Sequence, residues 1–235
     1  MMSFNFSSIE SPTVGERLYF PPEKLEKGYA PYTLDRDSGR LTAEFIGIDG
    51  STPATVLRDV WREQGSAVVL DAGCGTGYQL YSLIEQANLR LDVDPGTVVA
   101  HGVSDHDFST RSQVAKVRSA IQAGRISYTV GDLNDEYLLE PDFYHLAYSY
   151  EVLPHNKKPI RIVRNIFDAL CPGGVAFFNA DTTQESELIS GLQEMVDDNQ
   201  GDFDYITSPP PLGSLFDRQM GLDVGRCAFK LVKAA

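Results

Sequence analysis

The sequence predicts an α/β fold: a seven-stranded, mostly parallel sheet, doubly wound by helices and closed by an antiparallel strand pair at its C-terminal end. Three observations predict it. Short apolar runs alternate with amphipathic helical segments about five times between Thr52 and Val196, the pattern of right-handed βαβ units. One such run, Ala67 to Leu70, leads through a glycine-rich turn into a helix. The last two strand-like runs, Phe203 to Thr207 and Cys227 to Val232, have no strong helix between them, which suits an antiparallel pair at a sheet edge.

Residues 1–50 read as an irregular N-terminal arm. They are rich in Ser, Pro, Tyr and charge, without a sustained period, and Pro21-Pro22 and the Gly28 to Pro31 segment interrupt them. At most one short helix fits, near Glu23 to Lys27. Tyr19, Tyr29 and Tyr32 are expected to pack the arm onto the domain or to close it over an active site as a lid. Residues 51–235 form the domain. Thr52 and Pro53 are an N-cap and first helical position, and Val56, Leu57, Val60 and Trp61 follow at helical spacing up to Gly65. Ala67 to Leu70 suits a buried parallel strand, and the next helix carries Leu80, Leu83 and Ile84. A strand over Thr97 to Val103 precedes a helix capped by Ser109 and carrying Val114, Val117 and Ile121. Arg125 to Val130 and Tyr144 to Tyr148 are further strands. A helix with Ile162, Val163, Ile166, Phe167 and Leu170 is expected to stop at Pro172-Gly173-Gly174, before a strand over Val175 to Phe178. Thr182 and Glu185 read as a capping box opening a helix with Leu188, Ile189, Leu192, Met195 and Val196.

Composition narrows the function. The 235 residues carry a formal net charge of −13, and the densest basic run is only Lys157-Lys158 with Arg161 and Arg164. A chain that grips a phosphate backbone shows a basic patch, so a nucleic-acid partner is disfavoured. No stretch approaches the ~20 apolar residues of a membrane span, and Met1 to Glu10 lacks the features of a secretory signal. Three cysteines without paired spacing, Cys74, Cys171 and Cys227, argue against a disulfide framework or a zinc site and suit a reducing, cytoplasmic setting. No metal ligands are assigned, and the oligomeric state stays open, a homodimer included.

The chemistry is concentrated in Val68-Val69-Leu70-Asp71-Ala72-Gly73-Cys74-Gly75-Thr76-Gly77. A turn this tight needs positive φ, which Gly tolerates freely, and a ligand approaching the backbone needs Cβ absent. In doubly wound folds the ligand crevice lies at the carboxyl ends of the strands, above such a turn. Dinucleotide enzymes use G-x-G-x-x-G, but Tyr78 occupies the third glycine's place here. Asp71 would repel a pyrophosphate and suits an ammonium instead. A nicotinamide oxidoreductase is therefore disfavoured.

This segment resembles motif I of the class I S-adenosylmethionine-dependent methyltransferases, apolar-apolar-Asp-x-Gly-x-Gly-x-Gly, at every defining position. The resemblance implies a Rossmann-like methyltransferase fold, S-adenosylmethionine as cofactor, and cofactor contacts from Asp71, Ala72, Gly73, Cys74, Gly75 and Gly77. The family holds the ribose with an acid at the end of the second strand. Here Ser104 stands at that point with Asp105 next, and Asp94 is the rival. Gly131-Asp132-Leu133 is similar to the family's Gly-Asp-apolar element, which implies that Asp132 and Leu133 meet the adenine. The run Tyr144 to His155 resembles motif IV and the loop after it, without the family's frequent Asp at position 145, and places Ser149 and Tyr150 near the methionine part. Leu170 to Gly174 matches the family's turn into strand five. These landmarks cover Thr52 to Asn179.

Methyl transfer needs the acceptor held in line and water excluded, with a general base if the acceptor is a hydroxyl or a protonated amine. His155 is the first candidate, with Glu151 and Tyr150 next. His155 has a near-neutral ordinary pKa, and capping or packing of its loop is the alternative role. His145 is expected to pair on the polar face of its strand, His101 to be structural, and Cys74 to serve through its backbone rather than as a nucleophile. The acceptor is expected to be a small molecule. A protein acceptor, or a non-catalytic S-adenosylmethionine-binding protein of the same fold, are the alternatives.

Overall fold

The computed structural model describes residues 48–89, 97–107, 114–150, 152–199, 201–208 and 226–235. The arm up to residue 47, the helix near Glu23 to Lys27, the Ser109 cap, Asp94 and Glu151 lie outside the described residues.

Helix α1 (Pro53–Gln64) starts on a reciprocal cap: the Thr52 hydroxyl accepts from the Thr55 N–H at 3.1 Å, and the Thr55 hydroxyl accepts from the Thr52 N–H at 2.8 Å. Gly65 ends it at φ 72°, donating its N–H to the Trp61 carbonyl. Then follow β1 (Ala67–Ala72), α2 (Tyr78–Gln86), β2 (Val98–Ser104), α3 (Ala115–Gln122), β3 (Ile126–Val130) and β4 (Tyr144–Ser149). A 3₁₀ turn (Leu153–His155) leads to α4 (Pro159–Ala169), β5 (Leu170–Asp181), a second 3₁₀ turn (Thr182–Gln184), α5 (Glu185–Asn199), β6 (Asp202–Ser208) and β7 (Arg226–Val232).

The strands form one sheet in the order β3-β2-β1-β4-β5-β7-β6. The pairs from β3 through β5 are parallel, and β7 runs antiparallel to both β5 and β6. This is the predicted architecture, with β1 at the centre of the five parallel strands. Side chains alternate across the pleat, so the sheet has two buried faces. Leu70 and Ala72 of β1 pack with Ile162, Ile166 and Phe167 of α4 and Leu188 and Leu192 of α5. Val69 of β1 and Tyr148 of β4 pack on the other face with Leu57 of α1 and Leu80, Leu83 and Ile84 of α2. Near-continuous apolar strands are what burial on both faces requires.

Two expected boundaries are corrected. Val114 is the N-terminal flanking residue of α3 and lies outside the helix, in extended backbone at ψ 111°. Leu170 does not end α4; at ψ 137° it opens β5 and pairs with Tyr144. The helix can stop there because the Lys233 ammonium donates to the carbonyls of Asp168 at 3.1 Å and Leu170 at 2.8 Å, supplying partners that helix ends lack. Ahead of α5, Thr182–Gln184 form a 3₁₀ turn, in which Gln184 is drawn inward and donates its amide to the Leu153 carbonyl at 3.0 Å.

The register between β4 and β5 shifts just past Tyr144, where Gly174 has backbone close on two sides. A Cβ on Gly174 would meet the carbonyl oxygens of Cys171 and Tyr144, each at 2.8 Å. Backbone oxygens cannot swing aside as a side chain can. Gly174→Ala is expected to lower the unfolding free energy by about 1–3 kcal/mol, read as an earlier midpoint in urea denaturation.

Candidate functional site

The carboxyl ends of β1, β2, β3 and β4 meet along one edge of the sheet, and the predicted site residues gather there. The turn after β1 folds back on β2: the N–H groups of Gly73 and Cys74 both donate to the Val103 carbonyl, at 2.8 and 2.9 Å. Gly73, Gly75 and Gly77 all have positive φ, at 103°, 50° and 77°, so the three glycines are required by conformation. Space is a second requirement at Gly73, where a Cβ would lie 2.0 Å from Cγ2 of Val152. Gly102 in β2 is constrained from the other side, because a Cβ there would meet Cys74 Sγ at 2.7 Å. The turn therefore sits pressed between β2 and the loop after β4.

Tyr128 of β3 ties this turn to its neighbour. Its hydroxyl lies 2.9 Å from the Gly75 carbonyl and 2.9 Å from the His106 carbonyl, linking the turn after β1 to the loop after β2.

Asp71 is buried at the end of β1, level with Tyr148 of β4 in the parallel register. The Tyr148 hydroxyl donates to Asp71 Oδ2 at 2.8 Å. Asp71 Oδ1 is buried and has no hydrogen-bond partner among the described residues. Burial pushes the Asp71 carboxyl up to about 7, against the opposing effect of the Tyr148 hydrogen bond. Burial and the neighbouring Asp71 charge push the Cys74 thiol well up, so it stays protonated at neutral pH and is no nucleophile.

The other predicted residues fall as follows. Ser104 is buried at the end of β2, on the face that carries Asp71, and Asp105 beyond it is exposed, 3.1 Å from His106 Nδ1. Asp132 is exposed and accepts from the backbone and side-chain nitrogens of Asn134, at 2.9 and 2.8 Å. Leu133 is in the core, its carbonyl accepting from Asn165 Nδ2 at 2.8 Å. Ser149 is fully buried at the end of β4, and its hydroxyl has no partner among the described residues. Tyr150 is buried beside it. His155 ends the 3₁₀ turn whose Leu153 carbonyl Gln184 binds. His145 pairs within the sheet, accepting the Val68 N–H at 3.1 Å. His101 bridges Tyr144 and Thr129 at 2.5 and 2.9 Å, and burial lowers its pKa, as a structural histidine requires.

Tyr128, Tyr148 and Gln184 were not singled out by sequence. Each acts across 22 or more residues of chain, a separation no local motif records.

A sheet of this order, with the glycine turn at the end of β1, defines the class I methyltransferase fold. Residues 51–219 match the family described as a methyltransferase domain, and the chain belongs to that family, the S-adenosylmethionine-dependent methyltransferases. No curated protein is significantly similar in sequence. Among solved structures, the chain is similar to a Listeria monocytogenes protein assigned to the class I S-adenosylmethionine-dependent methyltransferases, with 20% identity and a TM-score of 0.58 over 91% of this chain and 65% of that one. It is also similar to the plantazolicin methyltransferase BpumL, crystallised with a triazolic desmethylPZN analogue and S-adenosylhomocysteine, with 11% identity and a TM-score of 0.54 over 91% of each chain. These likenesses are of fold.

The residues present fit the methyl donor of this family, S-adenosylmethionine. A buried carboxylate oxygen without a partner is a strong acceptor for an ammonium, and the glycine turn offers backbone without Cβ atoms. Neither feature would serve a plain βα loop.

The raised Asp71 pKa has a consequence for the free protein. The folded state keeps this proton up to about pH 7, and the unfolded chain releases it near the ordinary value of 3.8. Stability therefore falls as pH rises from about 4 to about 7 and is flat above. Asp71→Asn is expected to remove this dependence. In denaturation at pH 5 and pH 8, the wild-type protein should lose on the order of 2–4 kcal/mol more than the variant.

Proposed function

We propose that this methyltransferase transfers the methyl group of S-adenosylmethionine to a small-molecule acceptor in the cytoplasm. The observation that carries the reading is the extent of the fold. From α1 to β7, every described element belongs to one sheet and its two helical layers, so the described residues include no separate module for recognising a macromolecule. The net charge of −13 supports the same reading, since it disfavours a nucleic-acid acceptor.

In this proposal Asp71 accepts the cofactor's ammonium, and the backbone from Ala72 through Gly73, Cys74, Gly75 and Gly77 lines its methionine part. Ser104 or Asp105 holds the ribose, and Asp132 and Leu133 meet the adenine. Ser149 and Tyr150 close the methionine end. The cofactor's sulfonium supplies an already activated methyl group. The chain's own task is then to hold the acceptor in line and to take its proton, which falls to His155 at the end of the 3₁₀ turn. Glu151 and Tyr150 are the next candidates for that proton.

Two variants separate these roles. His155→Ala is expected to lower turnover by about 10²-fold, while S-adenosylhomocysteine affinity stays within a few-fold; unchanged turnover would show that His155 is not the base. Asp71→Ala is expected to weaken S-adenosylhomocysteine binding by more than about tenfold, measured by calorimetry, and near-wild-type affinity would remove the motif I assignment. The acceptor class is tested by incubating the protein with radiolabelled S-adenosylmethionine and fractionated cell extract. Label in the small-molecule fraction supports the proposal, and label confined to protein overturns it.

A further inference from the structure

We propose that Tyr148 is a positioning residue for the cofactor: its hydroxyl fixes one oxygen of Asp71 and leaves the other as the acceptor for the cofactor's ammonium. The proposal rests on the reading of Asp71 as the ammonium contact. It starts from register. Asp71 and Tyr148 are level on adjacent parallel strands, so their side chains rise on the same face of the sheet. The hydroxyl donates to Oδ2 at 2.8 Å, both side chains are buried, and Oδ1 has no partner among the described residues.

Packing alone does not call for the hydroxyl. Phe177 fills a fully buried place on the same face of the sheet with a plain ring, and a phenylalanine at 148 would fill this one. The phenol adds one donor, and an ionised carboxylate has about four acceptor sites. One donor leaves most of those sites, and all of Oδ1, unsatisfied, which is costly in a dry site unless a ligand completes it. The single bond also stops the carboxylate from rotating, so the free oxygen keeps one place. A donor to the charged form favours that form, which eases ionisation of Asp71 when a cation arrives.

Little else acts on the pair. Asp71 lies opposite Gly102 in β2, and the facing residues of α1 and α2, Leu57, Leu80 and Leu83, are apolar. From the turn after β1 comes the Cys74 thiol, which burial and Asp71 keep protonated.

The test compares two ligands on Tyr148→Phe. S-adenosylhomocysteine carries the amino-acid end; 5′-methylthioadenosine has the same adenosine and sulfur without it. The variant is expected to bind S-adenosylhomocysteine about tenfold more weakly and methylthioadenosine within twofold of wild type. Because the readout is a ratio, a variant that is only partly folded still reports it. The rise of S-adenosylhomocysteine affinity with pH, which follows ionisation of Asp71, is expected to move to higher pH in the variant. Combined with Asp71→Asn, Tyr148→Phe should have no further effect on either ligand. Equal weakening of both ligands, or unchanged S-adenosylhomocysteine binding with an unmoved pH profile, overturns the role of Tyr148. A wild-type protein that binds methylthioadenosine and S-adenosylhomocysteine equally well would overturn the ammonium reading of Asp71 itself, and the proposal with it.

Discussion

A carboxyl group buried at the end of β1 is the constraint around which the site is arranged. Asp71 can stay buried only because Tyr148 satisfies one oxygen and because its proton is retained to about pH 7. Both conditions depend on the sheet. β1 lies between β2 and β4, and helices cover it on both faces, so water does not reach its end. The same parallel pairing brings Tyr148 level with Asp71. A shift of one residue would turn Tyr148 to the opposite face and leave the acid with no donor.

The glycine turn answers to the same geometry. It must leave β1, pass over β2 and enter α2 within a few residues. The Val103 carbonyl receives two of its N–H groups, and Val152 closes it from the other side. Tyr128 and Gln184 extend this outward: Tyr128 joins two loops through the carbonyls of Gly75 and His106, and Gln184 ties its own turn to the one after β4 through the carbonyls of Leu153 and Asn156. The edge is thus held by side chains reaching between loops, while backbone pairing holds the sheet beneath it.

Much of this was readable in the sequence. The period of the apolar residues marks the strands and helices, and the glycine turn with its preceding acid marks the candidate site. The Pro209-Pro210-Pro211 run between two strand-like segments already separated the antiparallel pair from the helical crossovers. The misreadings share a cause. Leu170 looks like a helical residue until Lys233, more than sixty positions later, caps α4 and frees Leu170 to pair with Tyr144. Tyr148 reads as one apolar position in a buried strand, and nothing near it in the chain shows that its hydroxyl faces an acid. Local patterns carry local structure; contacts across the sheet decide the rest.

The place of β7 has a consequence for how the chain matures during synthesis. Among the described strands β7 is the last to be made, yet it lies between β5 and β6. The five parallel strands can assemble as they emerge, but β5 then presents an open edge and β6 has nothing to pair with. An unpaired edge is a template for association with other chains, and pairing of distant segments is slow. The nascent protein therefore passes through a stage in which its half-built sheet needs shielding until its final strand slots in.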